Sequence, residues 1–259
     1  MQCRLSRAAR LDQVELLLLS NSTNHGSTMF HHAAAEIVAM VGGDVVTFVP
    51  YALAHWDEYA DRVTYALGEL GVEVVSAHRA RQPDRAILEA KVVVMGGGNS
   101  FRLLDSLQGL GVMEALRGQV ESGATRYLGS SAGTNVVCPT IRTTNDMPIC
   151  EPASLSALGL LPFQINLHYV EVDPESTFMG ESRDERIAEF LEENDCPVLA
   201  MYEGSWLRVS GDQAVVEGPA RLFWRTGAEA FTDGADVSHL LTLSPRFGDG
   251  RRPTSHVTR

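Results

Sequence analysis

The sequence predicts an α/β protein, a three-layer α/β/α sandwich built on a mainly parallel sheet. Three observations carry this expectation. Short continuous apolar runs recur along the chain, stretches with helical spacing separate most of them, and 259 residues suffice to bury a sizeable core without a metal or disulfide staple. The first run is 15–20 (ELLLLS), followed by a helical stretch at 27–41 and a second run at 45–50 (VVTFVP). A helix over 56–69 leads to strands at 72–76 and 92–96, then a long helical stretch at 100–120 and a strand at 125–129. Residues 161–168 (LPFQINLH) read as a further strand, 181–193 as a helix, and 197–202 (PVLAMY) as the last strand of the sheet. Beyond it the segments SWLRVS, DQAVVEG and RLFWRT, with turns at Gly211-Asp212 and Gly218-Pro219, read as hairpins appended to that sheet.

No linker, repeat or low-complexity run divides the chain, so residues 1–259 are expected to form one domain with a core of about 14–225 and loose termini. The 21 basic and 33 acidic residues leave a formal charge of −12. That balance argues against a nucleic-acid partner, whose phosphates call for clustered cations. Cys3, Cys138, Cys150 and Cys196 lie far apart without a metal-ligand spacing and read as free thiols of a reducing compartment. The apolar run after the basic N-terminus contains Glu15 and leads into Asn21, Ser22 and Thr23 with no small-residue cleavage site. It reads as the first strand behind a short extension, and no segment reaches the length of a membrane span.

The strongest chemical signal is Gly129-Ser130-Ser131-Ala132-Gly133, a G-x-S-x-G pattern at the end of an apolar strand. Small residues there allow a sharp strand-to-helix turn that projects the Ser131 hydroxyl from the sheet, with the Ala132 amide placed to face an oxyanion. A simple tight turn is the competing account, and Ser130 reads as a packing residue. Of the eight histidines, His168 closes a segment whose alternation sets Gln164, Asn166 and His168 on one face, which suits a general base or a sheet-edge histidine. Asp146 lies between Ser131 and His168, completing the chain order Ser, Asp, His of α/β hydrolytic enzymes; an Asx turn before Pro148 is the alternative. Glu203, at the end of the 197–202 strand, is a second candidate acid. The cluster Gly96-Gly97-Gly98-Asn99 matches neither a dinucleotide fingerprint nor a P-loop but can present an amide beside the elbow. No spaced His, Asp or Glu set suggests a metal.

Seven segments in order, among them ELLLLSNST, MGGGNSFRLL, SAGTNVVCPTIRTTNDMPI, LPFQINLH, GESRDERI and EGSWLRV, resemble the peptidase E family of α-aspartyl dipeptidases. That group includes cyanophycinases and shares its fold with class I glutamine amidotransferases. The resemblance implies a cytoplasmic serine peptidase that hydrolyses Asp-X dipeptides through an acyl-enzyme, with no cofactor and no membrane partner, as a monomer or homodimer. It places the nucleophile on Ser131, the acid on Asp146 with Glu203 as the alternative, and the base on His168. It further implies oxyanion amides at Gly97, Gly98 and Ala132, and a substrate-binding Arg183, with Arg186 as the alternate. Ser130 and Leu167 depart from the family's usual tryptophan and proline without removing a reacting group. A cyanophycinase-like or β-aspartyl hydrolase and a non-catalytic binding protein are the alternative functions.

Overall fold

The structure, a computed structural model, describes residues 13–248 except 172–174, 176 and 178. The loose N-terminal extension and nearly all of the expected frayed tail lie outside the described residues, as do Cys3 and His256. The strands are β1 (Glu15–Leu19), β2 (Val46–Val49), β3 (Val74–Ser76), β4 (Val92–Met95), β5 (Arg126–Ser130), β6 (Gln164–Asn166), β7 (Val198–Met201), β8 (Trp206–Ser210), β9 (Gln213–Glu217), β10 (Ala220–Trp224), β11 (Gly227–Phe231) and β12 (Ala235–Asp236). The helices are α1 (Ala34–Val41), α2 (Trp56–Gly68), α3 (Pro83–Leu88), α4 (Ser100–Gly109), α5 (Met113–Glu121), α6 (Ala132–Asn135) and α7 (Arg183–Glu193).

Eight strands form the main sheet in the order β12-β9-β8-β1-β5-β4-β2-β3. The five from β1 to β3 in that order run parallel, and β8, β9 and β12 add antiparallel. Leu17, Leu19, Phe48, Val94 and Leu128 face α1 and α2 on one side of the sheet. Leu16, Leu18, Val93 and Met95 face α3, α4 and α5 on the other. Burial of both faces is why these strands are mostly apolar, with polar residues such as Glu15, Ser76 and Arg126 at their ends.

The expected 100–120 helix is two helices, α4 and α5, because Gly111 adopts φ 68° between them. The larger departure concerns residues 197–202. The strand there, β7, lies in a second sheet of order β11-β10-β7-β6, parallel to β6 and antiparallel to β10. Of the expected hairpins only β8-β9 joins the main sheet, while β10 and β11 belong to the second. Leu199, Met201, Ile165 and Leu222 join the core beside the main sheet, whereas Val198, Ala200 and Phe223 pack under α7. A strand buried on both sides has the same apolar signature in either sheet, so composition does not reveal which sheet receives it. No helix among the described residues is long and apolar enough to cross a membrane.

Close packing around the strand ends restricts side-chain volume sharply. A Cβ on Gly133 would stand 2.1 Å from the Met95 carbonyl oxygen, while one on Gly118 of α5 meets nothing within 4 Å. Gly133→Ala is therefore expected to lose about 1–3 kcal/mol, and Gly118→Ala to gain up to about 1 kcal/mol of helix propensity. Urea denaturation midpoints check both signs.

Candidate active site

β4 and β5 are hydrogen-bonded neighbours with Met95 opposite Gly129, so the turns that follow them emerge side by side at the carboxyl edge of the sheet. This edge is where open parallel sheets place ligands. After β5 the chain reverses abruptly into α6 through Ser131, whose backbone lies at φ 51°, ψ −114°. A non-glycine residue in such a conformation stores about 1–3 kcal/mol of strain and persists only where its surroundings fix it. The Ser131 amide donates to Leu19 O at 3.1 Å, Thr134 Oγ1 to the same carbonyl at 2.8 Å, and the Tyr127 hydroxyl to Gly133 O at 2.6 Å. Glycine at 129 and 133 is required by contact: a Cβ on Gly129 would fall 2.7 Å from Gly133 O. A Cβ on Gly97 would lie 3.1 Å from that of Ser131, so the glycine turn after β4 abuts the elbow.

Ser131 Oγ and His168 Nε2 are 2.9 Å apart, and His168 Nδ1 lies 3.0 Å from Glu203 Oε1. A carboxylate only accepts, so Nδ1 carries the proton and Nε2 is free to accept from the serine hydroxyl. His168 reaches the serine because the strand β6 ends early and the chain turns left-handed at His168 itself, φ 52°. Ser20 fixes that turn: its Oγ accepts from the His168 amide at 3.1 Å and donates to Met201 O at 3.0 Å. Asn21 does the same for the acid, its Oδ1 accepting from the Gly204 amide at 2.7 Å. Neither residue was singled out from the sequence. The available signal is a Ser-Asn pair at the carboxyl end of four buried leucines, a position from which a polar side chain reaches the functional edge.

Asp146 does not orient His168. Its Oδ2 accepts from the Ser100 amide at 2.7 Å, at the start of α4, and from Thr144 Oγ1 at 2.9 Å. The pull of α4's first-turn N–H groups explains the difference from the sequence expectation, since a carboxylate there satisfies an otherwise orphaned donor. Asn99 Nδ2 donates to Met147 O at 2.8 Å, so the 144–147 segment braces the glycine turn. Asp146 thus holds the loop opposite the nucleophile, while Glu203 sits on the imidazole.

Arg183 opens α7, behind a capping box in which Ser182 Oγ accepts from the Glu185 amide at 3.1 Å and Glu185 Oε2 from the Ser182 amide at 2.7 Å. Its Nη1 donates to Asn145 Oδ1 at 2.5 Å, and Asn145 Nδ2 donates to Leu167 O at 2.6 Å, one residue before His168. The acids adjacent to it are engaged elsewhere: Glu185 in the capping box, Asp184 with Tyr169 and Arg221. Arg186, the alternate cation, pairs with Glu181 at 3.6 Å. Burial, and secondarily the Arg186 charge, lower the Arg183 guanidinium pKa from its usual value, and no carboxylate among the described residues pairs with it.

Of the amides expected to face an oxyanion, that of Gly97 lies near the Tyr59 phenol. That phenol is pushed up to about 12 by burial, and the Gly97 amide partly offsets the rise. Gly98, at φ 139°, packs so closely on Ala52 that a Cβ would sit 2.5 Å from its carbonyl oxygen. Ala132 begins α6 directly after the serine. Ser130 is buried, and its hydroxyl has no hydrogen-bond partner among the described residues, in keeping with a packing role.

The model of peptidase family S51 matches residues 16–216. A peptidase E of Streptomyces coelicolor is 51% identical over 243 residues, covering 92% of this chain and all of that one. A peptidase E of Salmonella typhimurium is 42% identical over 222 residues, 84% of this chain and 96% of the other. Among solved structures, a peptidase from an acI-B1 actinobacterium shares the fold with TM-score 0.63 at 12% identity, covering 88% of this chain and 98% of that one. A putative peptidase E from Listeria monocytogenes gives TM-score 0.59 at 20% identity, covering 79% and 98%. The chain belongs to peptidase family S51.

Proposed function

We propose that this serine peptidase is a dipeptidase for Asp-X substrates, working through an acyl-enzyme on Ser131. The observation that carries the reading is the continuous relay from Glu203 through His168 to Ser131, facing a glycine turn and flanked by a half-buried arginine with no carboxylate partner among the described residues. The class I glutamine amidotransferase-like fold is part of the proposal, supported by the parallel sheet with its nucleophile at the turn after β5. So is a cytoplasmic location, supported by free thiols at Cys138, Cys150 and Cys196.

In the reaction, His168 Nε2 takes the hydroxyl proton as Ser131 Oγ attacks the peptide carbonyl carbon. Glu203 holds the imidazole in the reactive tautomer and stabilises the cation that forms. The amides of Gly97 or Gly98 and of Ala132 donate to the oxyanion; losing one such donor costs about 3–4 kcal/mol in the transition state. The imidazolium then protonates the leaving amine of residue X as the C–N bond breaks. Water, deprotonated by the same histidine, cleaves the aspartyl ester and restores the serine. Arg183 binds the side-chain carboxylate of the N-terminal aspartate, where its planar fork suits two oxygens. Asn145 holds that fork in register with the backbone before His168.

Two measurements test the assignment of roles. Glu203→Gln is expected to reduce kcat on Asp-Leu by about 10²- to 10⁴-fold, because an amide does not enforce the imidazole tautomer. Asp146→Asn should act mainly through stability and the glycine turn, with the smaller loss in kcat. The opposite order in folded variants would return the acid role to Asp146. Arg183→Met should lower kcat/KM on Asp-Leu by about 2–5 kcal/mol while changing Asn-Leu far less. An equal loss on both substrates would make Arg183 a structural residue.

A further inference from the structure

The first turn of α7 is fastened to the second sheet by a cluster that takes no part in the chemistry. Tyr169, 1% exposed, donates its hydroxyl to Asp184 Oδ1. Arg221, on β10, donates from Nη1 to the Tyr169 hydroxyl oxygen at 2.9 Å and to Asp184 Oδ2 at 3.3 Å, with Glu171 Oε1 at 3.5 Å. Its guanidinium carbon stands 5.2 Å from the Phe223 ring centroid, and Tyr169 meets Tyr202 edge-on at 4.9 Å. Each of three members neighbours a residue of the site: Tyr169 follows His168, Tyr202 precedes Glu203 and Asp184 follows Arg183.

The placement matters most for Asp184. Arg183 and Asp184 are consecutive, yet the Asp184 carboxylate is turned to Tyr169 and Arg221 and leaves Arg183 without a carboxylate partner among the described residues. A free carboxylate beside a half-buried guanidinium is the same chemical group that the substrate presents, available at an intramolecular concentration.

We propose that Arg221 is a positioning residue for substrate selection: it sequesters the Asp184 carboxylate and so keeps Arg183 open to the substrate's own. The inference rests on the reading of Arg183 as the carboxylate-binding residue. Without Arg221, Asp184 competes with substrate for Arg183, which weakens binding while the Ser131, His168 and Glu203 relay stays intact. Arg221→Met is then expected to raise KM for Asp-Leu about tenfold with kcat within about twofold, the pattern of lost ground-state binding. Arg221→Lys, which keeps the charge but loses the planar fork and its place over Phe223, should raise KM by less than Arg221→Met does. The double variant Arg221→Met with Asp184→Asn should recover most of the lost affinity, a rescue that general loosening of the fold would not give.

Steady-state kinetics on Asp-Leu with these variants, checked for folding by circular dichroism, decide the matter. A fall in kcat with unchanged KM in Arg221→Met, or no recovery in the double variant, overturns the proposal. If Arg221→Met does not fold, Tyr169→Phe, which frees one oxygen of Asp184 and keeps the buried ring, should raise KM with kcat retained, and an unchanged KM overturns it. Arg183→Met separates the two readings. If that variant alone leaves the Asp-Leu KM unchanged, the carboxylate assignment fails; if it raises KM and Arg221→Met does not, only the role of Arg221 fails.

Discussion

The backbone at Ser131 is the constraint on which the site depends. A serine at φ 51°, ψ −114° is held there by three hydrogen bonds, two of them converging on Leu19 O from the neighbouring strand β1. Each is worth about 1 kcal/mol net, together comparable to the strain they offset. The same contortion turns the hydroxyl toward His168 and begins α6 at Ala132, directly after the serine. It also dictates the glycines around it: 129 and 133 because backbone carbonyls come too near, 97 because the next turn touches the serine itself.

The parts of the proposed relay come from different sheets. Ser131 stands on the main sheet, whereas His168 follows β6 and Glu203 follows β7, adjacent parallel strands of the second. Their alignment to within hydrogen-bond distance depends on polar residues that cross between the sheets. Ser20 and Asn21, at the end of β1, hold the backbone at His168 and Gly204. The 143–146 segment performs the matching task on the other flank, with Asn145 reaching Arg183 and Leu167, and Asp146 reaching Ser100. In the proposed mechanism Asp146 belongs to the scaffold that sets distances, and Glu203 to the relay that orients His168.

Much of the fold was legible because it follows from burial. The five parallel strands and α2 and α7 stand where periodicity places them, within a residue or two. Gly111 was visible in the sequence but not its positive φ, which splits the 100–120 helix. The second sheet was not legible, since VLAM is apolar throughout whichever sheet covers it. At the site, the G-x-S-x-G context pointed to the turn at Ser131 because strand, small residues and helix are local features. The acid was harder. Chain order favoured Asp146, while contact with His168 depends on the pairing of β6 with β7 and on a left-handed turn at residue 168, both of them non-local. Arg183 as a candidate came through the resemblance to a known family, but its lack of a carboxylate partner among the described residues emerged only with the fold, because Asp184 and Glu185, next to it in sequence, are engaged elsewhere.

Trapping with a serine-directed phosphonate, followed by peptide mapping with mass spectrometry, tests whether Ser131, driven by the His168 and Glu203 relay, is the nucleophile. One adduct per chain is expected, on Ser131, and its formation should slow sharply when His168 is replaced by alanine. An adduct on Ser130 or another serine, or labelling of Ser131 at the same rate without the histidine, would contradict that role.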